Sequence, residues 1–286
     1  MSLPVEIRLS LSAAGLAALL AGPGCIDIVG ADLGKYTERE EKHFAVSGKA
    51  DVNLSTFDGS IEIRPWDKPE VLVIVEKRAR DKADADAIDI RSEQSGDHVV
   101  VEVKAAKGDH HGLQFGWNRS RSARLIVSMP PSSNLAARSG DGSIDVERIA
   151  GHVELRSGDG SIRARDLGGD IAATSGDGSI TLAGRLAGVR VHTGDGSVMV
   201  RAENGSAANS DWDISTGDGS VTLELPEGFG AEIDAHTGDG GIHMRDITVS
   251  DVTGKISKNS VRGRIGGGGR QLRVRTGDGS ITLKRF

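Results

Sequence analysis

Arg138 to Ile162 reads RSGDGSIDVERIAGHVELRSGDGSI, and the hexapeptide Ser-Gly-Asp-Gly-Ser-Ile stands in it twice. Asp141, Asp159, Asp177 and Asp195 recur at steps of 18 residues. Asp218, Asp239 and Asp278 continue the series in Thr-Gly-Asp-Gly settings, at steps of 23, 21 and 39. An earlier, weaker copy is Thr56-Phe57-Asp58-Gly59-Ser60-Ile61. A motif copied this evenly is either a chemical site repeated along the chain or the corner of a coil.

Alternation decides between the two. If Val153 and Leu155 face a core, a period of two makes Ser157 face it as well. Beyond Gly-Asp-Gly, Ile162 and Ala164 resume the inward set. The same parity takes in Ile171, Ala173 and Ser175, then Ile180 and Leu182. It takes in Val189, Val191 and Thr193, then Val198 and Val200, and near the end Leu272, Val274 and Thr276, then Ile281 and Leu283. Each unit is thus strand, Gly-Asp-Gly turn, strand and a second bend such as Arg165–Asp170. That is one coil of a β-solenoid with about 18–21 residues per coil.

The corners are Gly140-Asp141-Gly142, Gly158-Asp159-Gly160, Gly176-Asp177-Gly178, Gly194-Asp195-Gly196, Gly217-Asp218-Gly219, Gly238-Asp239-Gly240 and Gly277-Asp278-Gly279. Stacked coils lie roughly 4.8 Å apart, so matching residues fall into columns. The glycines are expected to supply backbone angles that other residues resist. The aspartates are expected to bond back to their own turns, with Ser and Thr flanks doing the same in a ladder. The step of 39 spans about two coils. The reading therefore puts a coil without the motif in GKISKNSVRGRIGGGG, with Ile256, Val261 and Ile265 in its core.

Composition agrees with a thin coil. Aromatic residues are only 3% of the chain, so its core must be aliphatic. Forty glycines without a Gly-x-y period exclude collagen. A net charge of −6 gives no support for nucleic acid as a partner, which calls for a basic stripe.

Residues 1–25 read as an export signal. Leu9–Gly22 is an apolar run of 14 residues, too short to span a bilayer, and the sole cysteine, Cys25, follows in LLAGPGC. Small residues ahead of that cysteine resemble a bacterial lipobox, which implies a lipid on Cys25 and attachment to a membrane of the cell envelope. An ordinary export signal with an incidental cysteine is the alternative. Residues 26–42 read as a charged spacer. Residues 43–131 read as an N-terminal β section, with a short helix within Asp81–Ile90 and a long loop after HVVVEVK. Residues 132–286 are the solenoid proper.

Three stretches carry a family resemblance: FDGSIEIRPWDKPEVLVIVEKRA, LIVSMPPSSNLAARSGDGSIDVERIAGHVELRSGDGSI and GRIGGGGRQLRVRTGDGSITL. From Phe44 to Leu283 the chain resembles a bacterial adhesin-like domain family of unknown function, related to auto-transporter adhesin heads. The resemblance implies a right-handed parallel β-helix displayed in the cell envelope. It brings no catalytic residues.

Three chemistries compete with a purely architectural corner. Calcium is one, since Gly- and Asp-rich β-helices of the toxin type bind it between coils. Those repeats run every nine residues; here one Asp recurs every 18, so each corner offers fewer oxygens, and no cofactor is assigned. The second is a polysaccharide-cleaving β-helix enzyme, which needs two carboxylates in one cleft. Aspartates spread evenly along the chain do not suit that, and no catalytic residue is assigned. The third is the loop Gly108–Arg121. Asp109, His110 and His111 read as solvated side chains, with no metal assigned. Phe115, Trp117 and Arg119 are a recognition patch in one reading and a cap on the first open coil in the preferred one. The function expected from the sequence is a non-enzymatic, adhesin-like interaction or scaffold module with an unidentified envelope or surface partner. A carbohydrate-active β-helix enzyme is the alternative.

Overall fold

The computed structural model describes residues 26–32, 35–105, 121–252 and 257–286. Their strands belong to one continuous sheet, and helix is confined to a single turn. The chain begins with β1 (Ile26–Asp32) and β2 (Lys35–Ala45), then β3 (Asp51–Thr56) and β4 (Ile61–Pro65) on either side of the Asp58 corner. Next come β5 (Glu70–Ala79), α1 (Lys82–Asp86), β6 (Ile88–Ser95), β7 (His98–Ala105) and β8 (Ser122–Met129). The repeats supply β9 (Asn134–Ser139), β10 (Ile144–Glu147), β11 (Ala150–Ser157), β12 (Ile162–Ser175), β13 (Ile180–Thr193), β14 (Val198–Ala202), β15 (Trp212–Thr216) and β16 (Val221–Leu225). The last part holds β17 (Ala231–Thr237), β18 (Ile242–Arg245), β19 (Val249–Ser250), β20 (Ser260–Ile265), β21 (Gln271–Thr276) and β22 (Ile281–Arg285).

Strands before the corners pair in parallel with one another, and so do strands after them. Val153 lies beside Ile171 and Ile171 beside Val189; Ile144 lies beside Ile162 and Ile162 beside Ile180. The architecture is all-β and solenoid-like. The inward parity holds at every position assigned to it, from Val153 at 0% exposure to Ser157 at 7%. The core is a narrow, mostly aliphatic column; its buried aromatics among the described residues are Phe44, Trp212 and Phe229, the last two with rings 5.1 Å apart.

The order of layers departs from the order of the sequence at both ends. Before the corners, the parallel strands run β7, β3, β9, β11, β12, β13, β15, β21, β17. After the corners they run β8, β4, β10, β12, β13, β14, β16, β22, β18. The Asp278 layer therefore sits between the Asp218 and Asp239 layers. The expected coil without the motif does not form. Its segment supplies β20, which runs antiparallel on β17 and buries Val261 and Ile265 against the end of the stack. Ile256 lies outside the described residues.

The N-terminal part differs from its reading too. Residues 35–42, read as spacer, are strand: β2 pairs antiparallel with β5 along its length. Charge hid the alternation, because the buried inward pair is itself ionic, Lys77 Nζ to Glu38 Oε1 at 3.3 Å. The short helix does form as α1, with Asp81 capping the N–H of Asp84 at 2.9 Å.

Six of the eight corners are closed by a buried hydroxyl; Thr193 only donates, to Gly178 at 2.9 Å, and Thr56 donates to the Ala123 carbonyl at 2.9 Å. Ser157 Oγ accepts from the Gly160 N–H at 3.0 Å and donates to the Gly142 carbonyl of the adjoining layer at 2.9 Å. Ser139, Ser175, Thr216, Thr276 and Thr237 repeat both bonds, donating to Gly59, Gly160, Gly196, Gly219 and Gly279. The expected hydroxyl ladder is present. The aspartates behave differently: among the described residues no hydrogen bond ties a motif carboxylate to its own corner.

The reason for the glycines also needs correcting. Gly140, Gly142, Gly158 and Gly160 are not in the left-handed region; Gly59, at φ 130, is the motif glycine that is. They are required by close approach. A Cβ on Gly160 would stand 2.3 Å from the Gly142 carbonyl oxygen, and one on Gly142 would stand 2.1 Å from that of Gly59. Both obstacles are backbone and cannot swing aside. Gly160→Ala should therefore cost about 2 kcal/mol, the scale of a forced overpacking. Asp159→Asn, at an exposed position, should stay within about 0.5 kcal/mol of the parent. Urea unfolding of both variants checks this ranking, and equal costs would contradict it.

Candidate functional site

The corners bring one carboxylate per layer to a common edge. In spatial order the column runs Asp58, Asp141, Asp159, Asp177, Asp195, Asp218, Asp278, Asp239, at a layer spacing of roughly 4.8 Å. All but Asp58 are exposed. Water therefore screens most of the repulsion between neighbours. Half-buried Asp58 is different: burial first, and then the Asp141 charge, push its carboxyl above the usual value. Among the described residues no three His, Cys, Asp or Glu side chains converge as metal ligands. Cys25, Asp109, His110, His111, Phe115, Trp117 and Arg119 lie outside the described residues.

The two faces meeting at this edge differ in kind. On the strands after the corners, charges pair across layers. Arg124 binds Glu62 at 2.6 Å, Glu62 binds Arg64 at 3.0 Å, Arg64 binds Glu147 at 2.7 Å and Glu147 binds Arg165 at 2.6 Å. The hydrogen bond from Arg124, reinforced by Arg64, holds the Glu62 carboxyl below its usual value against the opposing effect of burial. Further along, Glu224 takes Arg201 at 3.4 Å and Lys284 at 2.7 Å. Most of the charge on this face is paired across layers, though Arg163 and Arg245 stand exposed outside the network.

The strands before the corners present a hollowed face. One shallow groove of about 460 Å³ has small residues, Asn53, Ser55 and Ala136, beside Glu102, Arg138, Glu154 and Arg156. A second, of about 440 Å³, begins at His152 on β11 and includes Asp170, Ala172, Arg190 and Asp211. The hollows arise where short outward residues such as Ala136 and Ala172 alternate with long ones on adjoining layers. Reading the motif did not find these residues. The signal was present, since Glu154, Ala172 and Arg190 are the same outward position in successive units of 18.

A sheet of stacked, hydroxyl-closed Gly-Asp-Gly layers with one hollowed face defines a β-solenoid-like repeat protein. Residues 49–284 match the Toastrack DUF4097 family model, and the chain belongs to that family. No curated protein matches it. Among solved structures it is similar to a candidate cell adhesion protein from Clostridium sporogenes, at 14% identity over 87% of this chain and 100% of that one, with a TM-score of 0.40. It is similar also to a candidate adhesin from Bacteroides fragilis, at 11% identity over 86% and 96% of the two chains, TM-score 0.42.

The raised Asp58 value sets a pH dependence. A carboxyl whose folded pKa lies above its unfolded one adds stability that is full below the unfolded pKa and is lost as pH rises through the folded one. At neutral pH Asp58 is thus a charge the fold resists. Asp58→Asn should melt higher than the parent at pH 7, and the gap should close as pH falls below about 3.9. Thermal melts across that range test it; a gap that does not vary with pH contradicts the assignment.

Proposed function

We propose that the chain is a non-enzymatic interaction module of the cell envelope, coiled as a right-handed parallel β-solenoid and held to a membrane by lipid on Cys25. The observation that carries this reading is the hollowed face. One groove crosses β7, β3, β9 and β11, and the other runs from His152 on β11 across β12 and β13 to Asp211. Such a surface suits an extended, polar ligand such as a polysaccharide more than a compact one. The two similar structures are described as adhesins, and the same use is proposed here on the strength of this chain's own face.

The reading needs no cofactor and no nucleic acid. Among the described residues no helix is long and apolar enough to cross a membrane, and an acyl chain on Cys25 is the attachment proposed. Labelled palmitate should enter the full chain and not its Cys25→Ser variant. Equal labelling of both, or of neither, would remove the anchor from the proposal.

One observation favours the carbohydrate-active alternative: acidic and basic side chains outside the motif line the grooves. Against it, Glu154 is bound by Arg156 at 2.5 Å and Glu102 by Lys104 at 2.7 Å, each a partner on the same strand. In the second groove Asp170 takes a hydrogen bond from Ser210 at 3.3 Å and Asp211 one from the Gln271 N–H at 3.2 Å, so these two acids are the ones the alternative would use. Immobilised protein offered envelope polysaccharide fractions should retain ligand without releasing reducing ends. Arg138→Ala and Arg190→Ala should each weaken retention about fivefold. New reducing ends would favour the enzyme, and retention unchanged by both variants would take the binding face elsewhere.

A further inference from the structure

The layer made by β21 and β22 is a keystone. β17 pairs with β20 and β21, β18 with β22, and β19 with β20. Among the described residues, strands of residues 231–265 are thus paired with the rest of the sheet only through residues 271–285. Neither β15 with β17 nor β16 with β18 shares a pairing. Take the keystone away and a slot remains, with a parallel strand edge on each wall.

What fills that slot is recognised by hydroxyl bonds that most layers of this protein make and by one ion pair of its own. Thr276 donates to Gly219 on one wall at 2.7 Å, and Thr237 on the other wall donates to Gly279 at 2.7 Å. Arg275 reaches Asp234 at 2.7 Å, which also takes Arg262 at 3.0 Å. All these groups belong to the layer and its walls. None asks that the layer come from the same chain.

The connection into the slot is built to open. β20 and β21 straddle β17: Ile265 stands beside Ala231 on one side, and Gln271 beside Glu232 on the other. The link between them is Gly266-Gly267-Gly268-Gly269-Arg270, crossing over Gly230, with φ of 57, 76 and 150 at Gly266, Gly268 and Gly269. Four glycines in a row hold this crossing with little intrinsic conformational preference. A short crossing between an element and its own slot is where identical elements change places between copies.

We infer that the slot between β15–β16 and β17–β18 is an interaction site whose partner is a second copy of this chain, which contributes its own residues 271–285. The exchanged pair keeps every strand pairing and every hydroxyl bond, and changes only the course of Gly266–Arg270. Association then costs the freedom of two chains and is driven by protein concentration. This rests on strand order alone and stands or falls apart from the envelope role.

The test uses full chains carrying Cys25→Ser. One copy carries Asp213→Cys and the other Arg273→Cys, exposed residues that face each other across β15 and β21. The two are unfolded together, refolded at high concentration and treated with a short bis-maleimide. A covalent heterodimer is expected, with the cis double variant refolded dilute linking within itself. Thr222→Cys with Thr282→Cys, partners across β16 and β22, repeats the measurement should the first pair disturb folding. Asp213→Cys with Lys104→Cys, six layers apart in the stack, gives the background of random collision. Heterodimer above that background supports exchange. Heterodimer at background while the cis variant links internally overturns it, and so does a cis variant that fails to link, since the slot would then not be as described.

Discussion

One buried hydroxyl per layer sets the terms for the rest of this molecule. Placed at the last inward position before each corner, it must be satisfied, because an unpaired buried polar group costs about 1–3 kcal/mol. In six of the eight layers it is satisfied twice, by the N–H of its own second glycine and by the second-glycine carbonyl of the adjoining layer. The first bond closes the corner and the second fixes its distance from the next. With backbone drawn this close to backbone, no Cβ fits at either glycine. Ser or Thr, glycine and stacking distance are therefore one constraint. The aspartate between the glycines is left pointing outward, where it carries charge and takes no part in closing the turn.

This explains what could be read from the sequence. Inward parity was legible because a narrow core tolerates only aliphatic residues at alternate positions, and Ser157, Ser175 and Thr193 stood out as hydroxyls where the parity put core. The corner was legible because every layer repeats it. The neighbour of each layer was not. A Thr-Gly-Asp-Gly-Ser corner offers the same two bonds to any other such corner, so nothing in the spacing ranks Asp278 against Asp239 as the partner of Asp218. β20 was misplaced for a related reason: Val261 and Ile265 alternate alike in a parallel coil and in an antiparallel cap. The hollowed face stayed hidden because it is made of absences, Ala136 and Ala172 among longer neighbours, which a search for chemical residue types passes over.

The two faces show how a repeat can be uniform inside and specific outside. After the corners, opposite charges fall on adjoining layers and pair, from Arg124 to Arg165. Exposed pairs of this sort add little stability one by one. Their consequence is a surface with most of its carboxylates already engaged. Before the corners, Arg138 and Arg190 stand exposed beside small residues, so the charge there remains open to a partner. The core alternation dictates neither arrangement, which leaves the outward positions free to carry function while the inward ones carry the fold.

A stack whose layers all offer the same bonds has no internal reason to stop, and an exposed parallel edge invites another chain. Here the column of strands before the corners is closed at one end by β6, antiparallel on β7, and at the other by β20, antiparallel on β17. Neither closing strand turns a Gly-Asp-Gly corner. Each satisfies the backbone of the strand beneath it but presents no glycine carbonyl for a further hydroxyl, so the ladder ends with it. Simple propagation from layer to layer is the usual habit of repeat proteins, and this chain departs from it at both ends. It lays down β6 before β7, and β20 before β21 and β22, so each closing strand precedes the layer that completes its end of the stack. The layers placed out of order, Asp58 and Asp278, are those whose places are not set by their neighbours in sequence.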